Sequence, residues 1–371
     1  MRERDAAIAE RDSIAAEKDR IGRRFIETYN ADWPAVPSGC TAAPTGVDDT
    51  GLVTRIIAAY QASIALPAGD AGFWDNEFFD LKRPVHEALI SGDLDTVQRL
   101  LRDPSKTDLF YGFDNLSRVV LPGWTAADPG HGIVNYQDLL LLSEALGARR
   151  LWNPEGSHRE ALPDVETLLG AIDHVLGFRV EFPNPFSDEI GLTTSRGVAS
   201  YRAVQALYQA SRVLSAAKGK MGARVAEIGA GLGRTAFYAR RLGMRDYTIV
   251  DLPMSAAAQA YFLGRAAGPD EICLFGEDRP GIRILPPSAF LNASDCYDVV
   301  VNVDSLTEMA RPTARAYCEA IKVRGRLFVS INHELNPFTV RDVCAEAGMK
   351  MLTRTPYWMR RGYVDEEYAA A

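Results

Sequence analysis

The sequence predicts an α/β protein whose C-terminal half is a mainly parallel, doubly wound sheet with helices on both faces. Three observations carry that expectation. The short apolar run Val225-Ala226-Glu227-Ile228 ends in the glycine-rich turn Gly229-Ala230-Gly231-Leu232-Gly233. A second apolar run closes on Asp251. Beyond it, apolar segments alternate with helical ones, which is the pattern of a parallel sheet with ligands at the carboxyl ends of its strands.

The expected elements follow in chain order. Near the N-terminus, Arg4 to Glu10, Arg11 to Glu17 and Lys18 to Ile21 repeat with a seven-residue period that aligns Ala7, Ile14 and Ile21. Such a seam, flanked by Arg-Asp and Lys-Asp pairs, suits a short coiled coil that pairs chains, or equally a solvated helical extension, over residues 1–33. The abrupt start of the heptads also fits one module of a longer protein. Residues 34–50 are small, Pro/Gly-rich and aperiodic, and are expected to be a linker. Residues 51–190 carry helical periodicity, for example Leu52, Ile56, Ala59 and Tyr60, then Leu139, Leu142 and Leu146, and predict a mostly helical substrate or lid domain. This region holds two aromatic groups, Phe73-Trp74 with Phe78-Phe79 and the run from Leu109 through Tyr111 to Asn115. Aromatic faces beside Asp and Asn suit a sugar, whose C–H faces stack while its hydroxyls need acceptors, although such spacing also suits a core. The sheet domain is expected over 191–371. Its third strand is placed at Ile272-Cys273-Leu274-Phe275, its fourth at Tyr297 to Asp304 and its fifth at Gly325 to Asn332. A helix is expected at Thr313 to Lys322, and a closing hairpin at Met349–Thr353 and Gly362–Val364.

Composition narrows the partners. With Lys+Arg 41 against Asp+Glu 49 the net charge is −8, the wrong sign for a polyanion, so nucleic acid is not expected. Hydrophobic residues make up 47%, ample for a buried core. No apolar run approaches the roughly 18 residues that cross a bilayer, and the charged N-terminus is unlike a signal peptide, so a cytoplasmic location is expected. The five cysteines, Cys40, Cys273, Cys296, Cys318 and Cys344, lack C-x-x-C spacing and predict neither a disulfide framework nor a zinc site.

A strand, a glycine turn, a helix and a second strand with a terminal acid form a nucleoside-binding half-sheet. The turn exposes backbone N–H groups, and the acid accepts from ribose hydroxyls. Gly231-x-Gly233-x-x-Ala236 also fits a dinucleotide fingerprint. Glu227, two residues before Gly229, has the wrong sign for a pyrophosphate and suits a cationic ligand. S-adenosylmethionine carries a sulfonium and an ammonium and no phosphate, so it is the expected cofactor. The expected contacts are Glu227, Gly229, Gly231, Gly233, Asp251, Leu252, Asp304, Ser305 and Arg196. An NAD(P)-dependent sugar oxidoreductase and a catalytically silent scaffold in glycan assembly are the alternatives.

Three further stretches, Gly191 to Arg202, Asn302 to Met309 and Ser330 to Glu334, together resemble the sugar O-methyltransferases of bacterial polysaccharide clusters. The resemblance covers about residues 75 to 360. It implies a Rossmann-like class I, S-adenosylmethionine-dependent fold with a mainly parallel seven-stranded sheet, and a glycan, lipid-linked sugar or nucleotide sugar as acceptor.

Methylating a hydroxyl needs the acceptor oxygen held near attack distance and its proton removed. The candidates lie at the ends of the fourth and fifth strands. His333, directly after a strand end, is the expected base, because imidazole titrates near working pH. Asp304 is expected either to orient it or to accept from the sugar, and Glu308 to share that face if a helix begins there. Tyr201, Arg202, Glu334 and Tyr111 are the expected substrate contacts. Arg196 or Arg202 suits a carboxylate or phosphate through paired hydrogen bonds, or else a surface ion pair. A magnesium ion held by Asp304, His333 and Glu334 ranks behind a metal-free site, because one His and two scattered acids make no recognisable metal motif.

Overall fold

A computed structural model describes residues 31–42, 45–66, 82–104, 109, 129–151, 160–292 and 294–370. The heptads, the Phe73–Phe79 aromatics and Tyr111 lie outside the described residues. The chain forms two compact units, one of residues 1–42, 116–184 and 188–205, the other of residues 43–115, 185–187 and 206–371. Residues 43–115 therefore group with the C-terminal half, whereas the sequence reading placed 51–190 in one helical domain.

In the first unit, β1 (Ala31–Asp32) is short, and β2 (Ser38–Cys40) lies inside the stretch expected as linker. Gly39 permits this, since a Cβ there would sit 2.3 Å from the Thr193 Oγ1. The strand β3 (Glu160–Ala161) pairs in parallel with β1. The strand β4 (Ile190–Thr194) joins β2 on one side and, on the other, β5 (Gly197–Ala199), both antiparallel. The Gly191 to Gly197 stretch is thus a hairpin. Helices Pro129–Ala145 and Val165–Leu176 pack in the same unit. The second of them starts on Asp164, which accepts the Thr167 N–H, and ends on the left-handed Gly177.

The second unit is built on one eight-stranded sheet. Its strands are β6 (Arg224–Ile228), β7 (Asp246–Val250), β8 (Ile272–Leu274), β9 (Ile282–Leu285), β10 (Tyr297–Val303), β11 (Gly325–His333), β12 (Lys350–Pro356) and β13 (Tyr363–Ala369). Their spatial order is β12-β13-β11-β10-β6-β7-β9-β8. All run parallel from β11 to β8, while β13 is antiparallel to β11 and to β12. A parallel sheet with a reversed hairpin at one edge is the Rossmann-like class I arrangement. It differs from the expected seven strands by one. The run at Ile272 does form a strand, but it lies outermost, and the place beside β7 is taken by Ile282–Leu285, whose short Ile-Arg-Ile-Leu pattern gave little apolar signal.

The core explains why the strands read as continuous apolar runs. On one face, Tyr317, Cys318 and Ile321 of helix Arg311–Arg324 and Val343 and Cys344 of helix Val340–Glu346 bury against Val300, Phe328 and Tyr368. Each full burial of such an apolar side chain is worth about 1.5–3 kcal/mol. Helix Pro253–Ala266 buries Ala258, Tyr261, Phe262 and Leu263. The buried Asp49, just before helix Thr50–Ile64, accepts from Arg102 at 2.5 Å and from the Tyr261 hydroxyl at 2.6 Å. Those bonds tie the start of helix Thr50–Ile64 and the end of helix Leu94–Arg102 to the sheet domain. From the same helix, Arg55 pairs with Glu277 and donates to the Ile272 carbonyl at 3.0 Å, while Glu277 accepts the Leu274 N–H at 2.8 Å.

Candidate functional site

The chain winds outward from β6 through β7 to β9 and then returns to β10 on the other side, so the sheet reverses its winding between β6 and β10. A crevice at the carboxyl ends of the strands is expected at such a reversal. Register brings the ends level: Ile228 lies opposite Val250 on one side and Asn302 on the other, and Val303 lies opposite Ile331. Residues 229, 251, 303 and 331 are therefore level, and Asp304 and His333 follow one and two residues beyond that line, at the same end of the sheet.

Left of the reversal is the glycine turn. Gly229, Gly231 and Gly233 have φ of 71°, 56° and 82°, a region that L side chains rarely adopt. A Cβ on Gly229 would also lie 2.1 Å from the Ser305 Oγ. The bare turn thus leaves room for a ligand against backbone. Asp251 anchors it: Oδ2 accepts the Ala230 N–H at 2.9 Å and the Gln259 amide at 2.6 Å, and Oδ1 accepts the Leu252 N–H at 2.8 Å. A carboxylate has about four acceptor sites, and Ser255 also draws on this one, so a ligand hydroxyl would share or displace an existing donor. Burial raises the Asp251 carboxyl against the pull of those donors. Leu252, 36% exposed, offers an apolar surface beside it.

Glu227 departs from the reasoning that singled it out. Its carboxyl is buried in β6, accepts the Tyr247 hydroxyl at 3.0 Å, and is pushed by burial up to about 8. That push is toward the neutral form, against the charge on which the sequence argument rested, and burial is its physical cause.

Right of the reversal, a buried polar ladder ties three strands. The Asn302 amide donates to the Ile228 carbonyl at 2.9 Å and to the Ser305 Oγ at 2.5 Å, and Asn332 donates to the Asn302 Oδ1 at 3.0 Å. Ser305 in turn donates to the Ile228 carbonyl at 2.9 Å. Next to it, Asp304 holds φ of 61°, rare for a non-glycine. Its N–H is fixed on the Ile331 carbonyl at 3.1 Å, and its Oδ2 accepts the Tyr363 hydroxyl at 2.7 Å. Its Oδ1 is buried without a hydrogen-bond partner, 3.9 Å from the His333 Nε2. His333 stands edge-on to Tyr363, its partner across the β11–β13 register, with ring centroids 5.5 Å apart.

The remaining candidates are placed elsewhere. The Glu334 carboxylate turns to Arg354 at 2.8 Å, whose charge holds it below its ordinary range. Glu308 ends a 3₁₀ turn, Leu306–Glu308, and the next helix begins only at Arg311, so no helix puts Glu308 on one face with Asp304. In the first unit, Arg196 is locked at 2.6 Å on Asp173 with Glu166 at 3.6 Å. Tyr201 and Arg202 open the helix Tyr201–Ala216, with the Arg202 guanidinium 5.9 Å from the Tyr201 ring centroid. Among the described residues there is no group of three His, Cys, Asp or Glu that could hold a metal ion, and no helix long and apolar enough to cross a membrane.

Sequence reasoning missed Gln259, Asn302, Asn332, Tyr363 and Arg360. For the two asparagines a signal was present, a polar residue inside an otherwise apolar buried strand. Tyr363 and Arg360 carried none.

No family model and no curated protein sequence matches the chain. Solved structures are similar over part of the chain. The magnesium protoporphyrin IX methyltransferase of Synechocystis PCC 6803, with bound SAM, is similar at 14% identity and a TM-score of 0.34 over 46% of this chain and 83% of that one. The glycopeptide N-methyltransferase MtfA complexed with sinefungin is similar at 15% and 0.36 over 45% and 94%. The CcbJ methyltransferase of Streptomyces caelestis is similar at 15% and 0.32 over 44% and 89%. At such distance these likenesses carry no argument about chemistry.

Proposed function

We propose that the chain is an S-adenosylmethionine-dependent O-methyltransferase acting on a sugar hydroxyl. The observation that carries the reading is the row of strand ends. A glycine cradle with an acceptor in Asp251 stands beside a strained aspartate whose second oxygen lacks a donor. The residues suit the ligand: the turn would take it against backbone, Asp251 its ribose hydroxyls, Leu252 its base, and Asp304 and Ser305 the end that reacts. Bound there, S-adenosylmethionine supplies an electrophilic methyl group on a positive sulfur. The protein's own part is to hold the acceptor oxygen in line, exclude water and accept the hydroxyl proton. Support for a sugar as acceptor comes from the stretches at Gly191, Asn302 and Ser330 that resemble sugar O-methyltransferases.

Calorimetry of the whole chain with S-adenosylhomocysteine and with NAD(P)H tests the cofactor. Binding of the first and not the second is expected; the reverse sinks the methyltransferase reading in favour of an oxidoreductase. Glycans of a strain lacking the chain are expected to lose one methyl group by mass spectrometry, and unchanged glycans would remove the sugar.

A further inference from the structure

We infer that Asp304, and not His333, receives the acceptor's proton, and that Tyr363 and Arg360 are positioning residues for it. The inference rests on the methyltransferase reading and deepens it. The hydrogen bonds around the histidine decide its proton. The Leu335 N–H donates to the His333 Nδ1 at 3.2 Å, so that nitrogen offers its lone pair and the neutral ring carries its proton on Nε2. Nε2 faces the Asp304 Oδ1 at 3.9 Å. Neither ring nitrogen then has a lone pair left for an incoming hydroxyl, and the imidazole acts as a donor turned to the carboxylate.

The carboxylate is oriented by a chain of donors. The Arg360 Nη1 donates to the Tyr363 hydroxyl oxygen at 2.6 Å, and its guanidinium lies 4.3 Å from the centroid of the same ring. Since arginine only donates, the single Tyr363 proton is left to go to the Asp304 Oδ2, at 2.7 Å. One oxygen is thereby fixed, and the other, Oδ1, is buried with no partner. A buried acceptor without a donor, on a residue held at φ of 61°, is a group kept in place for something it has yet to bind. The neighbouring Glu334 is engaged by Arg354 and does not compete.

The step balances. The acceptor oxygen forms its bond to the methyl carbon as the carbon–sulfur bond breaks, with that bond's electron pair remaining on sulfur. The hydroxyl proton passes to Oδ1, which turns a carboxylate into a neutral carboxyl, and the His333 Nε2–H steadies the anion before transfer. The sequence reading had His333 as the base, with Asp304 either orienting it or accepting from a sugar hydroxyl.

The first test needs no turnover. Nitrogen-15 NMR of the imidazoles in the whole ligand-free chain, with His333 assigned by the His333→Gln difference, is expected to show the Nε2–H tautomer at neutral pH. An Nδ1–H tautomer overturns the inference. The second test uses S-adenosylmethionine and glycan extracted from a strain lacking the chain. Asp304→Asn is expected to lose a hundredfold or more in turnover at saturating S-adenosylmethionine, well beyond any loss in S-adenosylhomocysteine affinity, and His333→Gln about tenfold or less. Tyr363→Phe is expected to lower kcat about tenfold with KM unchanged. A rise in KM with kcat unchanged would leave Tyr363 structural. Equal losses in Asp304→Asn and His333→Gln overturn the assignment alone. Failure of wild type to bind S-adenosylhomocysteine overturns the cofactor reading beneath it.

Discussion

At the ends of β6 and β7 both carboxyls are engaged: Glu227 holds the Tyr247 hydroxyl and Asp251 holds two backbone amides and Gln259. At the end of β10, by contrast, Asp304 keeps one oxygen without a donor and holds a left-handed backbone. The first end is organised before any ligand arrives and spends its carboxyls on shaping the turn. The second keeps an unfilled acceptor and the strain that goes with it, as reacting groups do. On the proposed reading, the first end binds and the second acts on what is bound.

The largest expected effect breaks the comparison through Glu227. Its folded value of about 8 lies above its ordinary 4.5, so folding favours the protonated form. Its contribution is complete below about pH 4.5 and is lost as pH rises through about 8. Glu227→Gln keeps an acceptor for Tyr247 and removes the titration. Denaturant unfolding should find the two proteins alike near pH 4.5 and the variant more stable by roughly 5 kcal/mol above pH 8, on the order set by 1.36 kcal/mol per unit. A pH-independent difference would place a charged Glu227 in the crevice.

Next comes Gly229→Ala. The left-handed backbone costs an L-residue about 1–2 kcal/mol, and displacing Ser305 from the Ile228 carbonyl costs about 1 kcal/mol more. A loss of roughly 2–3 kcal/mol of stability is expected, with S-adenosylhomocysteine binding lost. Retained binding would mean that the turn is not the cradle. Asp251→Ala should weaken S-adenosylhomocysteine by roughly 1.5–3 kcal/mol, about ten- to a hundredfold in calorimetry. An unchanged Kd removes Asp251 from the ligand. The smallest effect belongs to Ser305→Ala, about 1 kcal/mol of stability, since Asn302 still bridges to Ile228. A larger loss would show that the ladder acts as a unit.

The binding end was legible in the sequence because its features are local. Three glycines within five residues answer to three positive φ values, and Asp251 directly follows the run that ends at Val250. The reacting end was legible only in part. Asp304 and His333 were visible as polar residues closing apolar runs, but Tyr363 lies 59 residues from Asp304 and meets it only through the antiparallel register of the last strand. Periodicity carries no such information. Glu227 shows another limit: sequence displays a carboxylate, while its charge is set by burial. The helix at Thr50 shows a third, since it is tied to the sheet domain by Asp49, a polar residue in an aperiodic stretch.

The extra strand β8 leaves the sheet with an outer margin, and a row of unpaired peptide groups there would be a template for another chain. Its outward groups are the Ile272 carbonyl and the Leu274 N–H, and Arg55 takes the first while Glu277 takes the second. One ion pair thus imitates the hydrogen bonds of a neighbouring strand, so the sheet terminates on side chains and gives an incoming segment no ladder to extend. Charge at this margin, in place of a further strand, occupies peptide groups on which an incoming segment would have to pair.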